Sequence, residues 1–317
     1  MQFVGLLAVT MFFLKSRVAS FFVVHHRRTF SHPPALPPRL KILDVDGEKR
    51  ELHVFDSGST IGEKPPLLII GGTAQTIATY QGHLRDLAKT RRTILPELRC
   101  QGRLTELLHE HATIEQHAKD VIALLDTLEI TSPIDCVGFS FGGRVALAVA
   151  AYNSHRIRKL SITGVPLRRS PLGSLILESW RSGLNQSPSE LRSVAWSFII
   201  NGFSAQFIEQ QAEKLETFVE QIIVSNDSNK LASLMNESHI VDAAHGFSVP
   251  SCAARVKCLT QVIGASDDRI AAPSTVQDLS AVIPTSTYLE MQACGHLAPF
   301  ESPTVWRRSV IKFLDQA

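Results

Sequence analysis

The chain has 317 residues, 44% hydrophobic and 20% charged, with 18 Gly and 16 Pro. That length accommodates one large domain carrying an insertion and an ample core, and the composition excludes a wholly disordered, collagen-like or low-complexity chain. The formal charge of +2 is unevenly spread: residues 1–43 hold six Lys/Arg and no acid, leaving 26 basic against 30 acidic residues, a balance that argues against a nucleic-acid binder relying on phosphate neutralisation.

The acid-free leader, residues 1–39, opens with an apolar run from Phe3 to Leu14. Those 12 residues fall short of the roughly 20 needed to span a bilayer as a helix. Lys15 and Arg17 interrupt it, and His25-His26-Arg27-Arg28 and a proline-rich stretch follow Val18–Val24. This pattern suits a transit peptide to a mitochondrion or plastid, so no stable membrane span is expected in the mature protein. A secretory signal cleaved near Val18-Ala19-Ser20, or a signal anchor, is the alternative.

From Leu40 the pattern becomes regular. Lys41–Val45 and Glu51–Phe55 read as strands joined through Asp46-Gly47, a hairpin signal. Leu67–Ile70 is a continuous apolar run, as expected of a strand covered on both faces. Thr76–Lys89 predicts a helix burying Ile77, Tyr80, Leu84 and Leu87, and Arg92–Leu98 a strand. Thr113 can cap a helix through Leu128, and Ile134–Val137 is a short strand leading to a helix over Gly142–Asn153. Leu160–Val165 closes residues 40–165 as a strand. Residues 166–250 carry helical patterns at Leu175–Trp180, Ser189–Phe198, Ala205–Val224 and Leu231–Met235, without a convincing strand. Alternation resumes in residues 251–317, with strands at Lys257–Ile263 and Thr287–Met291 and helices at Ser274–Val282 and Thr304–Leu314. Alternating strands and helices imply a mostly parallel sheet. The helical insertion is expected as a cap over the carboxyl edge of the strands, where such sheets bind ligands.

Three points carry chemistry. Gly138-Phe139-Ser140-Phe141-Gly142 is a GxSxG pentapeptide set between a strand and a helix, the context that the motif requires. So sharp a turn forces the serine to φ > 0, at a cost of about 1–3 kcal/mol, and leaves no room for side chains two residues to either side. It lifts the Oγ into solvent and aims the N–H of Phe141 at a developing oxyanion. Ala265–Ile270 ends the strand Lys257–Ile263, and Gly295-His296 follows the strand Thr287–Met291. A serine needs a histidine to take its proton, and the histidine needs a carboxylate to fix its tautomer.

On these motifs residues 40–317 resemble the α/β-hydrolase superfamily, in its small-capped esterase, enol-lactonase and aminoacrylate-hydrolase-like branch. Thr113–Gly143 is similar to that family's helix–strand–elbow block, Leu98–Leu104 to its LRGHGRS loop, and Gly295–Pro303 to its GHxxxxExP ending. The resemblance implies an α/β-hydrolase fold, a mostly parallel eight-stranded sheet flanked by helices and bearing a helical cap, acting without cofactor or metal. Ser140 would be the nucleophile, His296 the base and Asp268 the acid. Counting forward from Leu259, with an aliphatic residue two places beyond the acid, selects Asp268; counting three from Gly264 selects Asp267. Asp268 is preferred because Ile270 then fills the aliphatic position. Gly71-Gly72 stands where the family has His-Gly. The oxyanion donors would be the backbone N–H groups of Thr73 and Phe141, so no donor is lost, but the loop holding Thr73 is expected to loosen. Glu97, where an aspartate is usual, reads as structural.

The implied function is hydrolysis of a small to medium, largely apolar ester or lactone, with activity falling in acid as the base protonates. Thioester, carbon–carbon or lyase chemistry is the alternative, as is a ligand-binding protein with little turnover. Five cysteines without a CxxC indicate neither a disulfide framework nor a zinc site. His109, His111 and His117 lack the HExxH spacing and read as solvated, and Gly71-Gly72-Thr73 lacks a nucleotide-binding pattern. Cys136 and Cys294 read as half-buried strand residues. Trp180, Trp196, Phe198, Phe203, Phe207 and Phe218 read as cap core, one or two of them lining a pocket.

Overall fold

The computed structural model describes residues 39–58, 63–103, 113–187, 190–236 and 247–316. Residues 1–38 of the leader, together with Leu104, His109, His111 and Ser189, lie outside the described residues.

The hairpin comes first. Strands β1 (Arg39–Val45) and β2 (Glu48–Asp56) pair antiparallel, with Val45 opposite Glu48. Asp46 and Gly47 turn the chain with φ of 56° and 86°, and Asp44 Oδ1 accepts the Gly47 N–H at 3.0 Å. The remaining strands are β3 (Leu67–Ile70), β4 (Thr93–Pro96), β5 (Ile134–Phe139), β6 (Ile157–Thr163), β7 (Leu259–Ala265) and β8 (Ser286–Met291). They form one eight-stranded sheet in the order β1-β2-β4-β3-β5-β6-β7-β8. β2 runs antiparallel to both neighbours, and every pair from β4 to β8 is parallel.

The apolar run of β3 follows from its place. Leu68 and Ile70 enter one core cluster and Leu67 and Ile69 the other, so alternate side chains feed opposite faces of the sheet. The first face is covered by α2 (Ile114–Thr127), α3 (Phe141–Tyr152), α9 (Val249–Ala253) and α10 (Pro273–Val282). The second is covered by α1 (Gln81–Leu87) and α12 (Pro303–Asp315), with the short α11 (Ala298–Glu301) before it. Thr113 caps α2 as expected, its hydroxyl accepting the Gln116 N–H at 3.2 Å.

The described part of residues 166–250 contains helices and no strand: α4 (Pro171–Gln186), α5 (Leu191–Gly202), α6 (Ala205–Gln210), α7 (Leu215–Ser225) and α8 (Ser228–Leu234), with α9 crossing its end. Two expected helices come out differently. The segment Ala205–Val224 is broken into α6, a 3₁₀ turn at Ala212–Lys214, and α7. The break lets Phe207 on α6 and Phe218 on α7 both meet Phe203, at ring separations of 4.4 and 5.8 Å. Helix α1 starts only at Gln81, because backbone groups of Thr76–Tyr80 are spent on turns. Glu97 Oε1 takes the Ile77 N–H at 3.1 Å, and Thr79 Oγ1 takes that of Thr76 at 3.2 Å. The buried face of Ile77, Tyr80, Leu84 and Leu87 is nevertheless the expected one.

Candidate active site

Ser140 stands between β5 and α3 with φ 51° and ψ −116°, and its N–H donates to the Thr163 carbonyl at 2.8 Å. The crowding explains both motif glycines. A Cβ on Gly138 would sit 2.6 Å from Gly143 Cα, and one on Gly142 would sit 2.3 Å from the carbonyl oxygens of Ile70 and Gly71. Helix α3 therefore begins directly against the end of β3. The first N–H groups of a helix lie outside its internal ladder and carry the positive end of its dipole, so α3 presents that end beside Ser140.

His296 reaches the serine from the loop after β8. Its Nε2 lies 2.8 Å from Ser140 Oγ and its Nδ1 2.7 Å from Asp268 Oδ2. Asp268, buried after β7, accepts the N–H groups of Ile270 and Ala271 on its other oxygen, each at 2.8 Å. A carboxylate so placed can only accept, which puts the imidazole proton on Nδ1 and leaves Nε2 to accept from the serine hydroxyl. Asp267 is exposed and accepts from Ser266 Oγ at 2.9 Å. Of the two candidate acids, the fold brings Asp268 to the imidazole.

The histidine loop is bolted to the helices of residues 166–250. Glu301 Oε1 accepts the N–H of Gly295 at 2.7 Å and that of Ser204 at 3.0 Å, while its Oε2 accepts from Ser204 Oγ at 2.7 Å. Burial pushes the Glu301 carboxyl up from its ordinary value. Leu297 N–H adds a bond to the Gly202 carbonyl at 2.8 Å. Sequence reasoning did not single out Glu301; the signal was its fixed place five residues after His296 in the GHxxxxExP ending.

The loop after β3 is held firmly, contrary to the expectation that Gly71 loosens it. Gln75 Oε1 accepts the Gly72 N–H at 2.7 Å and the Tyr80 hydroxyl at 2.8 Å. Tyr80 is fully buried and fills the space beside Gly71, where a Cβ would come 3.1 Å from its ring. Burial drives its phenol well above the usual value, so it stays a donor. Asn226 ties the same loop to α7, donating to the Ala74 carbonyl at 3.0 Å. Glu97 is structural as read, joining this segment through Ile77.

Thr73, Ser140 and His296 share a cavity of about 320 Å³. Trp180, Phe198, Phe203, Phe207 and Phe218 all line it, more than the one or two expected, because the helices of residues 166–250 turn their aromatic faces toward the sheet edge. Trp196 is not among the lining residues. Among the described residues the lining includes Gln75 and Gln221 but no Lys, Arg, Asp or Glu. His117, read as solvated, is instead fully buried on the inner face of α2, edge-on to Phe141 at 5.1 Å. Cys136 and Cys294 are fully rather than half buried, and Cys294 lies in the loop beyond β8. Among the described residues no group of three or more His, Cys, Asp or Glu is placed to hold a metal ion, and no helix is long and apolar enough to cross a membrane.

Relatives give this geometry a context. The chain is 26% identical over 244 residues to pyrrolizixenacetamide deacetylase of Xenorhabdus hominickii, covering 76% of this chain and 88% of that protein. It is 28% identical over 273 residues to 2-hydroxymuconate semialdehyde hydrolase of Pseudomonas putida, covering 81% and 89%. The crystal structure of the enol-lactonase from Burkholderia xenovorans LB400 superimposes with a TM-score of 0.74 at 22% identity, covering 87% of this chain and all of that one. Residues 65–303 match the family defined by the alpha/beta hydrolase fold. That span takes in β3 through the start of α12, and the protein is a member of the α/β-hydrolase family.

Proposed function

We propose that the protein is a serine hydrolase that cleaves a small to medium, largely apolar carboxylic ester or lactone through an acyl-enzyme. The observation that carries this reading is the hydrogen-bonded series Ser140–His296–Asp268 opening into a cavity whose described lining residues carry no Lys, Arg, Asp or Glu. In the proposed reaction Ser140 Oγ attacks the carbonyl carbon while His296 Nε2 takes its proton. Asp268 holds Nδ1–H and stabilises the imidazolium that forms. The N–H groups of Thr73 and Phe141 receive the tetrahedral oxyanion. His296 then protonates the leaving alkoxide, and water, deprotonated by the same imidazole, releases the acid. A cavity of about 320 Å³ is at the small end for ligand sites, and described walls without Lys or Arg favour an uncharged acyl chain. The deacetylase and the semialdehyde hydrolase among the relatives support hydrolysis in general. We further propose that the leader is a transit peptide.

The test is labelling by a fluorophosphonate, wild type beside Ser140→Ala, followed by a panel of esters, lactones, thioesters and carbon–carbon substrates. Labelling of the wild type alone, with turnover of neutral esters or lactones, is the expected result. A folded wild type that takes no label overturns the hydrolase, and turnover confined to thioesters or carbon–carbon substrates overturns the ester reading.

A further inference from the structure

The carboxamide of Gln75 has a fixed direction. A carbonyl oxygen has two lone pairs, and Gln75 Oε1 spends both, on the Gly72 N–H at 2.7 Å and the Tyr80 hydroxyl at 2.8 Å. Turning the amide over would set its NH₂ against the Gly72 N–H, donor against donor, so the orientation follows from the network. Tyr80 cannot move aside, being fully buried with its ring against Phe300 at 5.4 Å and His83 at 5.9 Å. The backbone of Gln75 is tied as well, its N–H meeting Gln101 Oε1 at 3.2 Å.

What remains is Nε2 with two N–H groups. Among the described residues it makes no hydrogen bond, it is open to solvent, and Gln75 lines the cavity with Thr73, Ser140 and His296. Amide geometry keeps Nε2 within about 5 Å of Gly72 N, the nitrogen one residue before Thr73. Facing the cavity with both N–H groups uncommitted to the protein, Nε2 can donate to an oxygen bound there.

We propose that Gln75 Nε2 is a third, side-chain donor to the oxyanion, beside the N–H groups of Thr73 and Phe141. This rests on the serine-hydrolase reading above. Gln75 thereby has two functions. Its oxygen replaces the support that a histidine at position 71 would give the loop, and its nitrogen touches the reacting carbonyl oxygen. A preorganised donor of this kind is worth about 100- to 1000-fold in kcat.

The experiment uses the full chain with p-nitrophenyl butyrate as substrate and an alkyl trifluoromethyl ketone as the tetrahedral mimic. Gln75→Glu keeps an oxygen for Gly72 and Tyr80 but replaces the NH₂ with a second acceptor. The expected result is a kcat lower by about 100- to 1000-fold, a KM within about threefold of wild type, and ketone affinity falling in step with kcat. A kcat within about threefold of wild type, or a loss confined to KM, overturns the role. Should Gln75→Glu not fold, Gln75→Met, which cannot donate, is compared with Tyr80→Phe, which slackens the clamp and keeps the donor. A loss at least tenfold larger in Gln75→Met supports the donor, and equal losses overturn it. A wild type that labels with fluorophosphonate beside an unimpaired Gln75→Glu removes Gln75 alone. A wild type that does not label removes the hydrolase reading and this one with it.

Discussion

Exchanging Asp268 for asparagine would change one atom at the centre of the site. The oxygen of the new amide can still accept the N–H groups of Ile270 and Ala271, each at 2.8 Å, so the turn after β7 should keep its form. The atom facing His296 Nδ1, at 2.7 Å, becomes an NH₂. A donor there forces Nδ1 to accept, and the imidazole proton moves to Nε2. That nitrogen, 2.8 Å from Ser140 Oγ, then holds the proton that it should be taking. The same exchange in a serine-protease triad costs about 10⁴-fold in kcat, or about 5.5 kcal/mol of barrier. Asp267→Asn is the control. Its side chain is exposed and its contact with Ser266 survives as an amide, so its effect should stay within about 0.5 kcal/mol, roughly twofold. The assay is kcat for a p-nitrophenyl ester, with circular dichroism to show that each variant folds. A folded Asp268→Asn within tenfold of wild type, or an Asp267→Asn equally impaired, would refute the reasoning.

Gly142→Ala places a Cβ 2.3 Å from two backbone oxygens that cannot swing away, so α3 and β3 must part and carry Ser140 and Thr73 with them. A loss of about 1–3 kcal/mol in stability and at least 100-fold in labelling rate is expected; unchanged melting and labelling would contradict it. Burial, with Arg307 beside it, pushes the His83 imidazole from 6.5 down to about 4. Between those values the unfolded chain binds a proton at residue 83 that the folded chain refuses, so stability is full above about pH 6.5 and falls by up to about 3 kcal/mol towards pH 4. Urea unfolding of His83→Gln at pH 7 and pH 4.5 should lack that part of the acid sensitivity, and an identical loss in both proteins would remove His83 as its source. A fluorescent reporter fused after residue 40 should enter one organelle if the leader is a transit peptide, whereas secretion would overturn that reading.

The sheet could be read from the chain because its signals are local. Leu67–Ile70 is apolar throughout since both faces are covered, Asp46-Gly47 accepts the positive φ of a hairpin turn, and Thr113 caps its helix with its own hydroxyl. Ser140 and His296 were legible for a related reason: a strained elbow and a tight loop after β8 tolerate few residue types. Other features depended on partners remote in sequence. Asp267 and Asp268 are neighbours of one chemistry, and only the loop after β8, 28 residues beyond Asp268, decides which meets the imidazole. The N–H groups of Thr76 and Ile77 could have begun a helix, but Glu97, 20 residues after Ile77, claims one of them. Ala205–Val224 contains neither Gly nor Pro, so nothing local marks its break, which brings Phe207 and Phe218 together against Phe203. The sequence by itself therefore determined the strands, the elbow and the chain order of serine, carboxylate and histidine, all set by backbone sterics and the period of apolar residues. Tertiary structure decided which aspartate meets His296, the clamp that Gln75 and Tyr80 provide beside Gly71, and the aromatic walls of the cavity, because each is a contact between side chains that nothing in their own segments requires.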